Sequence, residues 1–219
     1  SLDGVVIGSL NQADSSEDRF QPGIDTSLLE QLALKVSLCL SNVTAHEKLK
    51  ALAFHDPLTG VLNNQVCEKI LAREFNRAKR YTNPMSLVML DIASFKTVNK
   101  TYGKHVGNDL LIHVAKTIKE IGRQSDIIAR YSGDNFILIL PETERHQAEF
   151  LTKRLQSHYK MHPFTHNDEK IPVTFNFGIS STEDHVSENP DLLILKADEQ
   201  RNDRKKGQFS RYVKFGTSF

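Results

Sequence analysis

Two acidic residues stand beside predicted β-strands, in positions where a carboxylate could bind a metal ion. Asp134 lies in the polar turn between the apolar runs 127–131 and 136–140, and Asp91 lies near the end of the apolar run 86–92. Two strand-like runs joined by a short polar turn predict a β-hairpin, and a buried carboxylate is costly without a partner. Because Mg²⁺ prefers carboxylate and phosphate oxygens as ligands, the two residues predict a metal–nucleotide site. An ordinary surface turn is the alternative interpretation of the hairpin tip.

Alternating helical and strand-like segments surround these residues. Apolar residues recur at steps of three and four in the predicted helices, whereas the predicted strands are short apolar runs. After a first helix over 27–55, we predict helices over 64–81, 106–121, 143–160 and 189–205, and strands over 86–92, 127–131, 136–140, 171–179 and 211–215. This order is typical of an α+β fold in which helices flank a sheet.

The first predicted helix carries a narrow apolar seam. The seam consists of Leu29, Leu32, Val36, Cys39 and Val43, which follow one another at steps of three and four. A narrow seam on a long helix is typical of a parallel dimer stalk. Packing of this helix on a domain that precedes it is the alternative.

Composition and charge exclude several classes of protein. The chain has 219 residues, 39% of them hydrophobic, which is enough for one well-formed globular core. Its formal net charge of +1 gives no overall attraction to nucleic acid. Cys39 and Cys67 are too few for a disulfide framework, and we expect buried thiols in a reducing compartment. With no signal peptide or long apolar span, a cytoplasmic protein is expected, and a membrane segment upstream of residue 1 stays open.

Three segments carry motifs of one known protein family. Residues 130–136 read R-Y-S-G-D-N-F, residues 56–63 read D-P-L-T-G-V-L-N, and residues 91–103 read D-I-A-S-F-K-T-V-N-K-T-Y-G. They resemble the R-Y-G-G-D/E-E-F, D-x-L-T-G-L-x-N and D-I-D-x-F-K-x-I-N-D-x-x-G motifs of GGDEF domains, the diguanylate cyclase family. The resemblance implies an α+β GGDEF fold, similar to the palm of nucleotide cyclases and polymerases. Such a fold has a central, mostly antiparallel sheet flanked by helices, here with an N-terminal signalling helix.

The resemblance also divides the chain into three regions. Residues 1–26 resemble the C-terminal end of a GAF sensor domain, because a strand-like run at 4–10 is followed by a polar stretch and R-F-Q-P. Residues 27–55 would form the linker or signalling helix. Residues 56–219 would form the GGDEF domain.

A nucleotide and metal site is implied at the positions that match the family motifs. Asp91, Asp134 and the carbonyl group of Ile92 would hold Mg²⁺, and Asp91, Asp134 and Asn135 occupy the family's catalytic positions. The side chains or backbone groups expected to contact bound GTP belong to Lys96, Asn99, Asn108, Ser132 and Gly133. In the family, the lysine meets the phosphates and the first asparagine reads guanine.

Several residues at this site depart from the family pattern, including Ser132 in the place of the first signature glycine. Ala93 replaces an aspartate, Asn135 replaces the signature glutamate, and Asn108 replaces the aspartate that accepts hydrogen bonds from guanine. An amide offers one acceptor where a carboxylate offers two, and it turns a donor toward the donors of the base. A mismatch of this kind costs about 1–3 kcal/mol. The signature is therefore degenerate, and we expect that cyclase activity has been lost.

A second binding site is implied shortly before the signature. Arg123 and Asp126 form an R-x-x-D motif where the family has its inhibitory site for cyclic di-GMP, and Arg154 falls where the family has a second ligand-binding arginine. Arginine can donate a fork of hydrogen bonds to guanine O6 and N7 or stack on the base, while aspartate accepts from the guanine N1–H and amine. As a bare motif, R-x-x-D is often a surface ion pair.

These assignments lead to one expected function and two alternatives. We expect a degenerate GGDEF domain that acts as a cyclic di-GMP receptor and transmits its signal through dimer geometry. The alternatives are an active diguanylate cyclase with product inhibition and a structural dimerisation module that binds no nucleotide. Expected partners are cyclic di-GMP, a second copy of the chain, a downstream protein and, if the vestigial site retains it, GTP with Mg²⁺. No nucleic acid is expected.

Overall fold

The computed structural model describes the backbone of residues 27–93, 95–184 and 189–215, with the side chains of these ranges except 47–52 and 205–215. The region 1–26, in which the sequence predicts the end of a GAF-like domain, lies outside the described residues. The chain divides into two compact units, residues 1–53 and 54–219. No helix in the described part combines the length and apolar character needed to span a bilayer.

A long helix, α1, extends over Ser27–Phe54, in agreement with the helix predicted for 27–55. Its leucine and valine side chains between residues 28 and 43 are exposed, with exposed fractions between 37% at Leu29 and 70% at Leu34. Cys39 is exposed as well, so the expectation of two buried thiols is wrong for this residue. The apolar surface of α1 is wider than the predicted seam, because Leu28, Leu34, Leu38 and Leu40 add to it.

The unit 54–219 is built around one five-stranded sheet. In chain order its elements are β1 Leu62–Asn63, α2 Asn64–Tyr81, β2 Met85–Ala93, α3 Phe95–Tyr102, α4 Lys104–Ile121, β3 Ile127–Ser132, β4 Asn135–Pro141, α5 Arg145–Met161, β5 Phe164–His166, β6 Glu169–Ile171, β7 Thr174–Ser181, a 3-10 turn Thr182–Asp184, and α6 Pro190–Phe215. The strand order is β1-β3-β4-β2-β7, and β5 with β6 forms a separate hairpin. The β1–β3 pair is parallel and the other described pairs are antiparallel, which confirms the predicted mostly antiparallel α+β fold.

Each face of the sheet packs against its own pair of helices. Side chains alternate between the two faces of a strand, so Val88 and Leu90 of β2 enter different clusters from Leu87 and Met89. The first cluster includes buried residues of α4 and α5. The second includes buried residues of α2 and α6, among them Cys67. Burial raises the pKa of the Cys67 thiol to about 12.

Helix α6 lies very close to strand β7. A Cβ atom at Gly178 would lie 1.6 Å from the carbonyl oxygen of Ala197, a distance that no side chain can tolerate. Glycine at this position therefore permits the close packing of helix on strand. Residues one helical turn beyond Ala197 are therefore held against the face of the sheet that Ala197 contacts.

Two sequence-based predictions about strands are wrong. The segment 211–215 belongs to α6 and not to a last strand. Its short apolar sequence, R-Y-V-K-F, fits either structure, and no proline within α6 precedes it after Pro190. The predicted strand 171–179 is divided between β6 and β7. Pro172 follows β6 directly and lacks the N–H group that a continuous strand would need for its ladder.

Candidate functional site

Three polar side chains form one row across the sheet. Asp91 on β2 is the register partner of Asn135 on β4 and of Asn176 on β7, so the three side chains point to the same face. Asp91 is only 1% exposed, and its Oδ1 accepts a hydrogen bond of 2.5 Å from the Asn176 side-chain amide. The buried carboxylate therefore has a neutral partner that the sequence analysis missed. The available signal was a polar residue between Phe175 and Phe177 in an apolar strand.

The signature turn is fixed by a residue of its own first strand. Arg130 on β3 binds both carboxylate oxygens of Asp56, at 3.0 and 3.2 Å, and its Nε donates to the Gly133 carbonyl at 2.8 Å. Gly133 has φ of +51°, a conformation that favours glycine. Hydrogen bonds from Thr59 and Arg130 outweigh the opposing effect of burial and lower the pKa of Asp56. These contacts join the D-x-L-T-G motif to the tip of the hairpin.

Asn135, in the place of the signature glutamate, is held by a buried arginine from α6. Arg201 Nη1 donates to Asn135 Oδ1 at 2.6 Å, and the Asn135 amide donates to Ser132 Oγ at 3.1 Å. Arg201 is only 9% exposed and also forms an ion pair with Asp198 at 2.5 Å. The sequence analysis missed Arg201. Its signal was a cation on the apolar face of α6, four residues after Ala197.

The oxygen atoms expected to bind Mg²⁺ belong to Asp91, Asp134 and Ile92. Asp134 is half-buried in the turn between β3 and β4, and Ile92 is buried directly after Asp91 on β2. Within the described residues, no group of three or more His, Cys, Asp and Glu side chains is arranged to hold a metal ion. Two carboxylates and a carbonyl nevertheless match the oxygen preference of Mg²⁺. Asn176 Oδ1, next to Asp91, is a buried oxygen without a hydrogen-bond partner among the described residues.

The asparagines expected to read guanine lie at the corner between α3 and α4. The Asn99 side chain packs directly on Gly107, because a Cβ atom there would lie 1.9 Å from Asn99 Oδ1. Asn108, the next residue, is exposed, and so is Lys96 in the first turn of α3. The fold thus brings Asn99 close to the backbone beside Asn108. Ser132 and Gly133 are exposed at the hairpin tip.

The three residues of the second predicted site line one cavity of about 470 Å³. Arg123 and Asp126 enter it from the turn between α4 and β3, and Arg154 enters it from α5. This volume lies in the range of small-molecule binding sites. The other residues that line the cavity are Leu140, Thr143, Gln147, Phe150, Leu151, Lys153 and Ser157.

Hydrogen bonds fix the shape of this second site. The backbone N–H of Arg123 donates to Asp126 Oδ2 at 2.7 Å, and the backbone N–H of Asp126 donates to the Arg123 carbonyl at 3.0 Å. The turn is therefore closed at both ends. Arg154 Nη2 donates to the carbonyl of Ile121, the last residue of α4. This bond ties α5 to the end of α4 and holds the guanidinium at the cavity.

Comparison of sequences places these features in a known family. A sequence profile described as "Diguanylate cyclase, GGDEF domain" matches residues 53–211. The response regulator PleD of Caulobacter vibrioides is 33% identical over 150 residues, which are 68% of this chain and 33% of PleD. The diguanylate cyclase DgcP of Pseudomonas aeruginosa is 31% identical over 157 residues, which are 69% of this chain and 23% of DgcP. The chain thus spans a third or less of the length of these relatives.

Comparison of structures agrees with the sequence matches. Diguanylate cyclase SiaD of Pseudomonas aeruginosa, solved in complex with its activator SiaC, is similar with a TM-score of 0.67 and 27% identity, over 82% of this chain and 68% of the matched chain. The coiled coil and GGDEF domain of DgcB from Caulobacter crescentus, solved with c-di-GMP, has a TM-score of 0.71 over 83% of this chain and 95% of its own. At 22% identity, this second likeness concerns the fold alone. From the profile match, the relatives and the fold together, the chain belongs to the GGDEF-domain family of diguanylate cyclases.

Proposed function

We propose that this chain is a regulatory GGDEF domain of cyclic di-GMP signalling, which binds cyclic di-GMP in the 470 Å³ cavity and has lost efficient cyclase activity. The observation that carries the proposal is the charge of the cavity lining. Arg123, Lys153 and Arg154 contribute three cations, and Asp126 contributes one carboxylate. The resulting net charge of +2 complements the two phosphodiester groups of a cyclic dinucleotide, and guanidinium groups bind phosphate oxygens strongly.

The closed turn at this cavity supports guanine recognition. Asp126 uses Oδ2 to accept from the Arg123 backbone, so its carboxylate is already oriented before a ligand arrives. Its other oxygen can accept from the guanine N1–H or amine, and the Arg123 side chain can donate to guanine O6 and N7. A site that is organised in advance loses less entropy on binding. The turn therefore supplies both the acceptor and the donor that guanine requires.

The contacts of Asn135 support the loss of cyclase activity. Its carbonyl oxygen accepts from Arg201 and its amide donates to Ser132, so both polar atoms of the side chain are engaged. A neutral amide also attracts a divalent cation less strongly than the carboxylate it replaces, because Mg²⁺ binding draws on ligand charge. At the same vestigial site, Asn108 weakens guanine recognition, because its side-chain amide has one acceptor oxygen where a carboxylate has two.

Mg²⁺ at the vestigial site would be held by Asp91, Asp134 and the carbonyl group of Ile92. There it would neutralise negative charge on the phosphates of GTP. Lys96 would add a further positive charge, and Asn99 would orient the base. Asp91 has the Asn176 amide as a partner in the structure, so the buried carboxylate is satisfied in the protein alone.

An active diguanylate cyclase is the second candidate function. It is favoured by the retention of Asp91, Asp134, Lys96 and Asn99, and by relatives that are themselves named diguanylate cyclases. Two GTP-loaded subunits would meet, and the 3′-hydroxyl group of each GTP would attack the α-phosphate of the other, with one pyrophosphate released in each transfer. Cyclic di-GMP would then inhibit at the cavity beside Arg123.

We propose that the signal passes through a dimer formed by α1. The exposed apolar side chains of this helix favour association with a second copy, and the similar structure of DgcB contains a coiled coil beside its GGDEF domain. The protein would act in the cytoplasm, where GTP and cyclic di-GMP are available. A protein partner is also expected, in line with the similar SiaD, which was solved with an activator protein.

Isothermal titration calorimetry with cyclic di-GMP tests the receptor proposal. Wild type should bind, and Arg123→Ala should weaken binding by at least about tenfold, because it removes a fork of charged hydrogen bonds worth about 1.5–3 kcal/mol. Arg80→Ala is the matched control, since Arg80 is an exposed arginine that does not line the cavity. Equal affinity of wild type and Arg123→Ala would refute this binding site. Absence of binding to wild type would favour a structural module.

A turnover assay separates receptor from cyclase. Nucleotide-free protein is incubated with GTP and Mg²⁺, and cyclic di-GMP is quantified by chromatography against an Asp134→Ala control. We expect no product above that control. Product that disappears with Asp134→Ala would show that Asn135 and Asn108 are tolerated, and the cavity would then be a site of feedback inhibition.

A further inference from the structure

An exposed aromatic side chain lines the cavity that contains Arg123 and Asp126. Phe150 on α5 contributes to the lining, and the residue is 65% exposed. Single exposed apolar residues are ordinary on a protein surface. Phe150 differs from such residues, because it lines a cavity of ligand size together with cations and a carboxylate. Aromatic rings stack on planar bases, so this ring suits a ligand that carries a base.

The face of α5 that borders the cavity is continuous. Gln147, Phe150, Arg154 and Ser157 all line it, and they follow one another at steps of three and four, which places them on one side of a helix. Phe150 thus stands one turn before Arg154, on the same stripe. A base that rests on its ring would lie close to the Arg154 guanidinium.

The ring of Phe150 already has a cationic neighbour. Lys153 Nζ lies 5.6 Å from the ring centroid, a cation–π contact. A planar base could therefore stack on this face only by taking the place of the ammonium group. Lys153 also lines the cavity, so its ammonium group can move from the ring to a phosphate of the ligand without leaving the site.

We propose that Phe150 is the stacking platform for a guanine base of cyclic di-GMP, a role that rests on the proposed function of this cavity. The base lies on the ring in place of the Lys153 ammonium group, and Arg123 and Asp126 contact the edge of the same base. Stacking tolerates any base, whereas the edge contacts select guanine. Phe150 thus determines affinity, while Arg123 and Asp126 determine base identity.

Titration of cyclic di-GMP into Phe150→Leu, Phe150→Tyr and wild type tests this role. Phe150→Leu should lower affinity by about fivefold or more, the loss expected for one stacked base, whereas Phe150→Tyr should stay within about twofold. Tyr81→Leu is the matched control, because Tyr81 is 62% exposed and does not line the cavity. The exposure of both rings makes unfolding of the variants unexpected, and their melting temperatures check this. Bound wild type should also show NMR contacts between Phe150 ring protons and guanine H8.

The outcomes separate the platform from the receptor proposal. If wild type binds, Arg123→Ala loses binding and Phe150→Leu binds like wild type, the platform is refuted and the receptor proposal stands. A tyrosine variant as weak as the leucine variant would also refute stacking, since tyrosine retains the ring. If wild type does not bind cyclic di-GMP at all, both proposals are refuted. Weaker binding of cyclic di-GMP by Phe150→Leu, together with binding by Phe150→Tyr that is close to wild type, supports the platform.

Discussion

The contact between Asp56 and Arg130 decides how firmly the signature hairpin is held. Besides both oxygens bound to Arg130, Asp56 Oδ1 accepts from the Thr59 backbone N–H at 2.8 Å and from its hydroxyl group at 2.6 Å. The side chains of Asp56 and Arg130 are 18% and 16% exposed. Asp56→Ala removes all of these acceptors and leaves a largely buried guanidinium without its counter-charge.

The expected cost follows from this degree of burial. Removing one partner of a fully buried pair costs about 3–5 kcal/mol, whereas an exposed pair contributes about 0–1 kcal/mol. With roughly one sixth of each side chain exposed, we expect Asp56→Ala to lower the free energy of unfolding by about 2–4 kcal/mol. Asp56→Asn should cost less, because the amide oxygen can still accept from Thr59.

Urea denaturation measures this effect within the unit 54–219. All five tyrosines lie in that unit and the chain contains no tryptophan, so intrinsic fluorescence reports its unfolding. A double-mutant cycle with Asp56→Ala and Arg130→Ala isolates the coupling between the two side chains, for which we expect about 1–3 kcal/mol. The cycle separates the ion pair from the contribution of Thr59.

Two results would refute this reasoning. One is a loss below about 0.5 kcal/mol for Asp56→Ala, which is the scale of an ordinary surface substitution. The other is full additivity of the two single substitutions, which would mean that Asp56 acts through Thr59 alone. In either case the hairpin would be held by the sheet and not by the ion pair.

Three further predictions concern stability. The pKa of Asp56 is lowered in the folded state, so the stabilisation from its carboxylate is present above the unfolded pKa of about 3.9 and is lost as the pH falls through the folded pKa. The difference in unfolding free energy between wild type and Asp56→Asn should therefore shrink below about pH 4. A difference that does not change with pH would contradict this. Gly178→Ala should lower Tm by at least about 4 °C, since its Cβ would overlap the Ala197 backbone, and an unchanged Tm in calorimetry would show that α6 can move away. Arg201→Leu should cost about 1.5–3 kcal/mol in urea denaturation through the lost charged hydrogen bond to Asn135, and a neutral result would mean that the bond offsets only its own desolvation.

Local sequence signals were sufficient for most of the fold. The hairpin 127–140 is predictable because two apolar runs and a polar turn are encoded within 14 residues. Most of the helices follow from apolar spacing in the same way, whereas the eight-residue helix α3 and the short strands β1 and β5 were not predicted. Where two structures fit one local pattern, the prediction failed: the short apolar segment 211–215 also fits a helix, and α6 continues through it. The wider apolar surface of α1 likewise exceeds what a single seam describes.

The residues of the candidate sites also fall into two groups, those that the sequence indicated and those that only the packing of the fold brought in. The resemblance to GGDEF motifs indicated Asp91, Asp134, Arg123 and Asp126, because each lies in a segment that matches one of those motifs. Arg154 was likewise implied by the resemblance, because it falls where the family has a second ligand-binding arginine. The charge and shape of the cavity that Arg123, Asp126 and Arg154 line could not be predicted, because they depend on how α5 packs against the turn after α4.

Tertiary structure alone decided which further side chains complete the sites. Asn176 became the partner of Asp91 through the register of β2 and β7, which are separated by about 80 residues of sequence. Arg201 reached Asn135 because Gly178 lets α6 approach the sheet. Register and helix packing are set by contacts between distant segments, and no local pattern encodes them. The sequence therefore determined the elements and the motif residues, and only the packed fold determined their partners.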